Sequence, residues 1–467
     1  MVVVALIAAA VLGAVALSGF LRLEVTGRRH VTLAILVGVL MLEAMLNRAE
    51  YNVPEGLFRV DVGGFAVRPP DIVLGLALMA RFLAGGAFHR VTATGLAWAS
   101  FLLWYAGAAA AGVLYGNDTR EVFYQGRAIY YIGGVAILAA GTSFAPFVKP
   151  KVFARWAAVF GAAATFTIVA GVLGLHWRFF AGPLKLPDLG RINNDAISLL
   201  IAGGGIILLV EATRAQRRPW LAVAGALCVL SPFSGTQRAN YLALAATLGV
   251  IALAALGPTW RRRVKATPTE ALLILGGLAA MSIAVLTYSG PSVDVVGQVE
   301  STFFAGEQAA SADARVSLWR EGMNRISERP VFGWGLGILD QVRIKGYMTE
   351  SELTQHNIFL DVGTRAGLVG VLLAGVALLL TLVDAARAWR LHPDDQLAAL
   401  ALGMAAVVLA FVGKGMVEST FEKYRLNVAL GLAVGCIMAL VAAVDRRGEP
   451  AAAEPGPGQL PSETRPV

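Results

Sequence analysis

The sequence places one histidine where its side chain could do acid–base chemistry. His356 stands in TQHNIFL, where a polar stretch gives way to a long apolar run. The N-terminus of a helix presents unpaired N–H groups and a partial positive charge, which favour the neutral form of such a ring near pH 7. A neutral imidazole accepts protons, so His356 suits a general base acting on a hydroxyl group. The alternative is that His356 or Asn357 only caps the helix that begins there.

Three arginines have positions that suggest a bound anion: Arg238 in SPFSGTQRANYLALA, Arg315 in the first turn of an expected loop helix, and Arg191 in PDLGRINNDAISLL. Each lies at a helix end on the side opposite to the basic loops, so the bias of basic residues toward the cytoplasm does not explain it. Anchoring to lipid head groups would explain any one of them, but three arginines together with His356 predict an anion site. Guanidinium groups match phosphoryl oxygens in a bidentate way and stabilise a phosphate leaving group.

The other four histidines have ordinary explanations. His30, His89 and His392 lie in short connections beside Arg or Pro, which indicates solvated loop positions. His176 begins the loop HWRFFAGPLKLPDLGR beside Trp177, where an interfacial role explains it equally well.

Several kinds of chemistry are not indicated. No nucleotide-binding glycine loop precedes a helix and no acidic cluster has metal-ligand spacing, so we expect neither a cofactor nor a metal. Basic residues gather in short loops and not along one amphipathic face, which argues against a nucleic-acid partner. Cys228 and Cys436 fall inside apolar runs and are interpreted as packing residues.

The composition sets the elements that must position these residues. The 467 residues are 57% hydrophobic and 15% charged, which predicts an all-α polytopic membrane protein. Apolar runs long enough to span the bilayer suggest about 12–13 transmembrane helices. The thirteen segments are 2–20, 31–47, 71–87, 91–115, 127–145, 152–175, 195–212, 220–235, 239–257, 270–289, 358–383, 397–417 and 426–444.

Charge in the loops predicts the topology and the domains. Basic clusters such as RLEVTGRRH and RRRVK fall in alternate loops, which we assign to the cytoplasm. We expect membrane helices over 1–289 and 358–445, an extracytoplasmic catalytic loop over 290–357, and a disordered cytoplasmic tail over 446–467.

The long loop contains an amphipathic pattern in SADARVSLWREGMNRISERP. It predicts a helix capped by Ser311 or Asp313, ended by Pro330, with Val316, Trp319, Met323 and Ile326 on its buried face. The following FGWGLG has glycines at 333, 335 and 337, which suits a tight turn or a close approach of backbone.

These stretches resemble the signature region of the O-antigen ligase and polymerase superfamily. The matching residues are HNIFLDVGTRAGLVG at 356–370 and ARVSLWREGMNRISERPVFGWGLG at 314–337. SGTQRAN at 234–240 is similar to the family's arginine-bearing break between two membrane helices, and GRINNDAISLL at 190–200 to its asparagine-containing start of another. The resemblance covers about 190–383.

The resemblance implies a membrane glycosyltransferase with a large extracytoplasmic loop. Such enzymes move a glycan en bloc from undecaprenyl pyrophosphate to an acceptor sugar hydroxyl, with neither a nucleotide sugar nor a required metal. Carried over by motif, His356 would activate the acceptor, and Arg238 and Arg315 would hold the pyrophosphate. Arg191 is a third candidate ligand. The implied partners are an undecaprenyl-pyrophosphate-linked glycan donor, a glycolipid or glycan acceptor, and membrane lipids.

Three further residues are candidate substrate contacts. Asn357 adjoins the histidine, and the rings of Trp319 and Trp334 could stack on sugar faces, although interfacial tryptophan is often an anchor. Many relatives have an acidic residue where Arg365 stands, which leaves the acceptor open. The sequence does not decide between a ligase and a polymerase.

Two other classes of protein compete with this interpretation. A secondary transporter of an anionic or lipid-linked solute would need similar helices, but no pair of broken segments recurs in the two halves. Lys414 and Glu418 would suit its coupled ion pair or a simple i,i+4 salt bridge. A peptidoglycan polymerase of the shape, elongation and division type would centre on an acidic residue such as Asp294, Glu300 or Asp313, whose surroundings do not resemble that family.

Overall fold

The structure of the chain is a computed structural model. It describes residues 2–46, 60–62, 65–85, 92–147, 149, 152, 155, 196–212, 219–230, 239–264, 309–338, 340–344, 347–351 and 355–448.

The described residues are mainly helical, with two short antiparallel hairpins. The helices are α1 (Val2–Val25), α2 (Arg29–Leu46), α3 (Pro69–Leu83), α4 (Ala93–Leu114), α5 (Thr119–Ala128), a π segment (Ile129–Gly133), α6 (Gly134–Ala140), α7 (Ala196–Ala212), α8 (Pro219–Leu230), α9 (Ala239–Leu256), α10 (Pro258–Val264), α11 (Ala309–Glu328), α12 (Ile358–Leu391), α13 (Asp395–Gly415), a 3₁₀ turn (Thr420–Glu422) and α14 (Tyr424–Gly448). The hairpins are β1 (Val60–Val62) with β2 (Phe65–Val67) and β3 (Asp340–Ile344) with β4 (Tyr347–Ser351).

The helices have the character of membrane spans. Of those described, α4, α12, α13 and α14 are long and apolar enough to cross a membrane, and several others are apolar but shorter. This confirms the predicted all-α polytopic membrane fold. The number of spans stays a prediction, because segments 152–175 and 270–289 lie outside the described residues except for 152 and 155.

Several helix boundaries differ from the prediction, and two of them change how a segment is assigned. The span expected at 127–145 begins earlier, at Thr119, because Asp118 caps α5 by accepting from the main-chain N–H of Arg120 at 2.8 Å. At the C-terminus, α14 continues to Gly448, into the expected tail 446–467. Residues 449–467 lie outside the described residues.

Helices α4 and α12 run antiparallel and define two ends of the bundle. The Trp98 indole N–H donates to the Thr381 hydroxyl at 2.9 Å, near the start of α4 and the end of α12. At the other end, Trp104 donates to the main-chain oxygen of Ala366 at 2.8 Å. We call the end at which α12 begins the His356 end, and the opposite one the far end.

Glycines bring helix backbones into direct contact. A Cβ on Gly203 of α7 would lie 2.7 Å from the oxygen of Gly403 in α13, and one on Gly205 would lie 2.7 Å from the oxygen of Gly225 in α8. Small residues at such crossings are the usual way for membrane helices to gain packing contact, because lipid provides no hydrophobic force between them.

Charges at the far end are buried and paired across α1, α2 and α3. Glu24 accepts from Arg81 at 2.5 and 3.1 Å, and the Nε of Arg29 lies 3.1 Å from the same carboxylate. Arg81 and Glu24 are almost completely buried. Removing either partner would leave an uncompensated charge, so this group fixes the N-terminal helices to the bundle.

The solvated loop position expected for His392 is wrong. The residue is only 4% exposed and ends α12. Its ring Nδ1 accepts from the Asp394 N–H at 3.1 Å, and Arg263 donates to its main-chain oxygen at 2.6 Å. His30 lies in α2 and packs edge-on against Phe147. The other two histidines assigned to loops, at 89 and 176, lie outside the described residues.

The loop helix α11 exists, but its cap and its buried face differ from the prediction. It begins at Ala309, so Ser311 and Asp313 lie inside it and do not cap it. Leu318, Gly322 and Ile326 are buried, whereas Val316 and Met323 are 49% and 58% exposed. The face centres on Gly322 because a Cβ there would lie 2.8 Å from the side chain of Gln355, beside α12.

Candidate active site

Helix α12 is broken at Gly367, close to its start. This glycine has φ 70° and ψ −177°, and a Cβ on it would overlap the main-chain oxygen of Val331. The break divides α12 into a short segment, 358–366, and a long segment, 368–391. The apolar run continues across the break, so the sequence did not predict it; the glycines in VGTRAG were the available signal.

The main-chain groups freed by the break are hydrogen-bonded by residues from elsewhere. The bonds run from Trp334 N to Thr364 O at 2.8 Å, from Gly335 N to Arg365 O at 3.0 Å, from Leu368 N to Pro330 O at 2.7 Å, and from the Trp104 indole to Ala366 O at 2.8 Å. Within a membrane each unsatisfied group would cost several kcal/mol, roughly, so these contacts are what make the break stable.

The glycine turn predicted at 333–337 is confirmed, and it is the part of the loop that enters the break. Gly333, Gly335 and Gly337 have φ of 69°, 80° and 80°. A Cβ on Gly333 would lie 2.6 Å from the carbonyl carbon of Arg365, and a Cβ on Gly335 would overlap Gly112 of α4. Glycine is required here both for the left-handed backbone and for the close approach.

His356 lies immediately before the short segment of α12. Asn357 is the N-cap, and its Oδ1 accepts from the N–H groups of Phe359 and Leu360 at 3.0 and 3.2 Å. On the other side, the N–H of Gln355 donates to Asp361 at 2.9 Å. The ring of His356 is partly exposed and its two neighbours are buried, so the residue is held between two anchored positions.

The backbone of His356 is strained. Its φ is 49°, and among the described residues it is the one residue other than glycine that has a positive φ. Left-handed backbone costs a residue with a side chain about 1–2 kcal/mol, and such strain concentrates at functional sites. Of the two residues named as alternative caps, Asn357 is confirmed, because it makes both capping bonds, and His356 is not the cap.

An ion group adjoins this turn on the connection between α13 and α14. The Asn357 amide donates to the main-chain oxygen of Met416 at 3.2 Å. Two residues further on, Glu418 lies 3.6 Å from Lys414 and 2.9 Å from Lys423. The predicted i,i+4 salt bridge is thus confirmed, and Lys423, which the sequence interpretation missed, completes it. Lys414 is fully buried.

Of the three predicted phosphate ligands, the structure describes only Arg315. Arg238 and Arg191 lie outside the described residues. Arg315 lies in the second turn of α11, not the first, because the helix begins at Ala309, so the argument from the helix dipole no longer applies to it. Its role as a pyrophosphate ligand stays a prediction.

The two candidate sugar-stacking tryptophans lie in different settings. The Trp334 indole donates to the Arg325 oxygen at 3.0 Å, and the Arg329 guanidinium carbon lies 4.0 Å from its ring centre. The Trp319 side chain is partly exposed, and its buried indole N–H has no hydrogen-bond partner within the described part of the chain. Thr364, 3.7 Å from a Cβ built on Gly322, has an unpartnered hydroxyl there as well.

The fold and this turn define a class of protein: an all-α polytopic membrane protein in which a broken helix presents a strained histidine beside a long loop. The O-antigen ligase family model matches residues 199–375, which run from α7 into the long segment of α12 and include His356, Arg238 and Arg315. The match confirms the predicted resemblance to the O-antigen ligase and polymerase superfamily. A comparison with curated proteins found no match.

The family implies a glycosyltransferase-like membrane enzyme that handles a lipid-linked glycan donor and a glycan acceptor. A metal would need several side-chain ligands in one place. In the described ranges, no group of three or more His, Cys, Asp or Glu side chains is placed to hold one.

Proposed function

We propose that this protein transfers a glycan en bloc from undecaprenyl pyrophosphate to an acceptor sugar hydroxyl, on the outer side of the cytoplasmic membrane. The observation that carries the proposal is the strained His356 turn at the start of the broken helix, within the part of the chain that matches the O-antigen ligase family. The product is either a ligated glycolipid or a lengthened chain, since ligases and polymerases share this chemistry.

In the proposed reaction His356 takes the proton of the acceptor hydroxyl. The oxygen attacks the anomeric carbon of the donor sugar, the bond from that carbon to the pyrophosphate oxygen breaks, and undecaprenyl pyrophosphate leaves with inversion at the carbon. Arg238 and Arg315, with Arg191 as a third ligand, stabilise the charge on the leaving group. The base needs no cofactor, because the donor is already activated.

The geometry of His356 supports this role. A general base must be held within hydrogen-bond reach of the hydroxyl that it deprotonates. The caps at Asn357 and Asp361 fix the main chain on both sides of His356, while its ring stays partly exposed. The N–H groups of the first turn are engaged by Asn357, so the imidazole is not needed for capping.

A broken helix is also found in secondary transporters, where unwound backbone coordinates the solute. Here the carbonyl groups of Thr364, Arg365 and Ala366 are bonded to Trp334, Gly335 and Trp104. Each of these oxygens already accepts a bond from the protein, and the break serves to place the start of α12. This favours the enzyme over the transporter.

The test uses the full chain in nanodiscs with an undecaprenyl-pyrophosphate oligosaccharide and a set of glycolipid acceptors, followed by gel and mass spectrometry. The variant is His356→Asn, because asparagine tolerates the left-handed backbone and the fold should survive. The matched control is His30→Asn, a partly buried histidine of α2 at the far end. Transfer by wild type and control, with loss of at least a hundredfold in His356→Asn, is expected for a general base. Equal transfer by His356→Asn would show that His356 is not the base.

A further inference from the structure

The connection between α13 and α14 begins beside the His356 turn and ends in a second group of arginines. It starts at Met416, the partner of Asn357, and ends at Tyr424. Arg68 and Arg425 lie beside the Tyr424 ring, and Arg127 pairs with Asp71 of the adjoining helix α3; none of the three is among the predicted pyrophosphate ligands.

The carboxylate of Asp71 contacts several residues of this arginine cluster. The Asp71 side chain accepts from the main-chain N–H of Arg68 at 2.8 Å and from the Tyr131 hydroxyl at 2.5 Å, and it lies 3.6 Å from an Nη of Arg127. The Tyr130 hydroxyl donates to the main-chain oxygen of Asp71 at 2.6 Å. The first turn of α3 is thereby fixed against the π segment.

The π segment is what allows two consecutive tyrosines to reach one residue. Successive side chains of an α-helix project about 100° apart, given 3.6 residues per turn. Tyr130 and Tyr131 nevertheless both donate to Asp71, from within the π turn 129–133. Such turns are rare and occur frequently at functional sites. The π turn is therefore a second observation that marks the arginine cluster, and it does not depend on the charged side chains.

Each guanidinium group of the cluster lies close to an aromatic side chain, and the Nε of Arg425 also donates to the Tyr424 hydroxyl at 2.9 Å. The guanidinium carbons of Arg68 and Arg425 lie 4.6 and 5.4 Å from the centre of the Tyr424 ring, and that of Arg127 lies 4.9 Å from the Tyr124 ring. A stacked guanidinium presents its N–H groups at its edge, which is the side that a phosphate or carboxylate recognises.

One part of the cluster is buried and another part is partly exposed. Arg127 is 6% exposed and Tyr424 is 9% exposed, whereas Arg68 and Arg425 are each partly exposed. Among the contacts described for the cluster, the charged side chains are three guanidinium groups and one carboxylate, Asp71. At the His356 end, this concentration of arginine runs against the cytoplasmic bias of basic residues in the proposed orientation.

We propose that Arg68, Arg127 and Arg425 form a binding site for an anionic group, a phosphate or carboxylate, carried by the acceptor glycolipid. The assignment of this ligand to the acceptor rests on the proposed function, while the anion site itself does not. The site lies at the opposite end of the α13–α14 connection from the contact of Asn357, so a bound acceptor would reach toward His356 along that connection.

The test measures binding without any donor. The full chain, in phosphatidylcholine nanodiscs, is titrated with a fluorescent glucosamine-disaccharide glycolipid that has, or lacks, one phosphate. The variants are Arg425→Gln and Arg68→Gln. In the bonds described, the Arg425 side chain does not contact Asp71, and Arg68 bonds to Asp71 through its main-chain N–H, which the substitution retains. The control is Arg263→Gln, since Arg263 also pairs with a carboxylate, Asp395, and also lies over a ring, 5.6 Å from Trp389, but at the far end.

We expect each cluster variant to weaken binding of the phosphorylated probe about tenfold or more, as for loss of a charge-assisted hydrogen bond, and to leave the unphosphorylated probe unchanged. Equal binding of the two probes by wild type, or no difference between the cluster variants and Arg263→Gln, would overturn the proposal.

Two further measurements are included. The first identifies the source of the anion, and the second distinguishes failure of this proposal from failure of the proposed function. Native mass spectrometry of protein in phosphatidylglycerol discs tests the lipid head group. If the variants lose retained phosphatidylglycerol but bind the phosphorylated probe normally, the acceptor assignment is overturned. If wild type binds the phosphorylated probe in an arginine-dependent way yet never transfers glycan, the anion site stands and the proposed function fails.

Discussion

Asn357 donates its side-chain amide to the main-chain oxygen of Met416 over 3.2 Å, and with its oxygen it caps α12. One side chain therefore does two things: it starts the helix that follows His356, and it ties that start to the α13–α14 connection. Asn357 therefore fixes the main chain directly after the histidine.

Substitutions of Asn357 should separate these two roles. Asn357→Asp keeps the capping oxygen and loses the donor, whereas Asn357→Ala loses both, so the alanine variant should be less stable by about a further 1 kcal/mol. Both should reduce glycan transfer, because the tie to Met416 is lost in each. Thermal unfolding in detergent and the transfer assay check this. Equal stability of the two variants would mean that the cap contributes nothing.

Strain at His356 predicts an unusual ranking of variants. His356→Gly relieves the left-handed backbone, while His356→Ala keeps it, so the glycine variant should be the more stable by about 1 kcal/mol. Both should fail to transfer glycan. The melting temperatures of the two purified variants give the comparison. An alanine variant as stable as the glycine variant would show that the strain is absent.

The break in α12 should tolerate no side chain at Gly367. Gly367→Ala forces a Cβ into the Val331 oxygen at φ 70° and should lower stability by about 3 kcal/mol or more, as strain and lost hydrogen bonds combine. Gly375→Ala in the same helix is the control, because nothing lies within 4 Å of its Cβ position. It should be neutral or stabilising. Yield of folded protein and thermal unfolding report both, and similar behaviour of the two variants would contradict a required break.

The buried indole N–H of Trp319 allows its structural and binding roles to be distinguished. Trp319→Phe removes a donor that has no partner among the described residues, so stability should be unchanged or slightly higher. If the N–H binds a sugar hydroxyl, the KM for the acceptor should rise severalfold with little change in kcat. A loss of stability of the size expected for a broken hydrogen bond would show that the indole is a structural donor instead.

The ion group beside the His356 turn should be sensitive to removal of one partner. Glu418→Gln leaves Lys414, which is fully buried, without its carboxylate, and should destabilise the protein by about 3 kcal/mol. Adding Lys414→Met should restore most of that loss. A double-mutant cycle on unfolding free energy measures the coupling. Additive effects would mean that Lys414 is compensated elsewhere.

Local signals in the sequence predicted the local features. The glycines at 333, 335 and 337 predicted a tight turn or a close approach of backbone, and the spacing of Lys414 and Glu418 predicted their ion pair, because each depends on residues close together in the chain. The position of His356 at a helix start was equally local.

The features that escaped prediction depend on distant contacts. The break at Gly367 is stabilised by main-chain groups of Trp334 and Gly335, which hydropathy does not reveal. The buried face of α11 centres on Gly322, a residue with no apolar side chain to signal it. The arginine cluster assembles residues from α3, α5 and α14, so only the packing of those helices brings them together.

The break in α12 also implies an order of events during biosynthesis. Its freed carbonyl groups accept hydrogen bonds from Trp104 and from the turn 330–337. Until that turn has docked against α12, the broken helix has a higher free energy than an unbroken one. A newly inserted segment 358–391 should therefore enter the bilayer as one uninterrupted helix, and lose its continuity only when the preceding loop folds onto it. The left-handed turn at His356 would then be the last local structure to form. Pulse-labelling hydrogen exchange across 358–368 would detect that sequence of events as late protection of the turn.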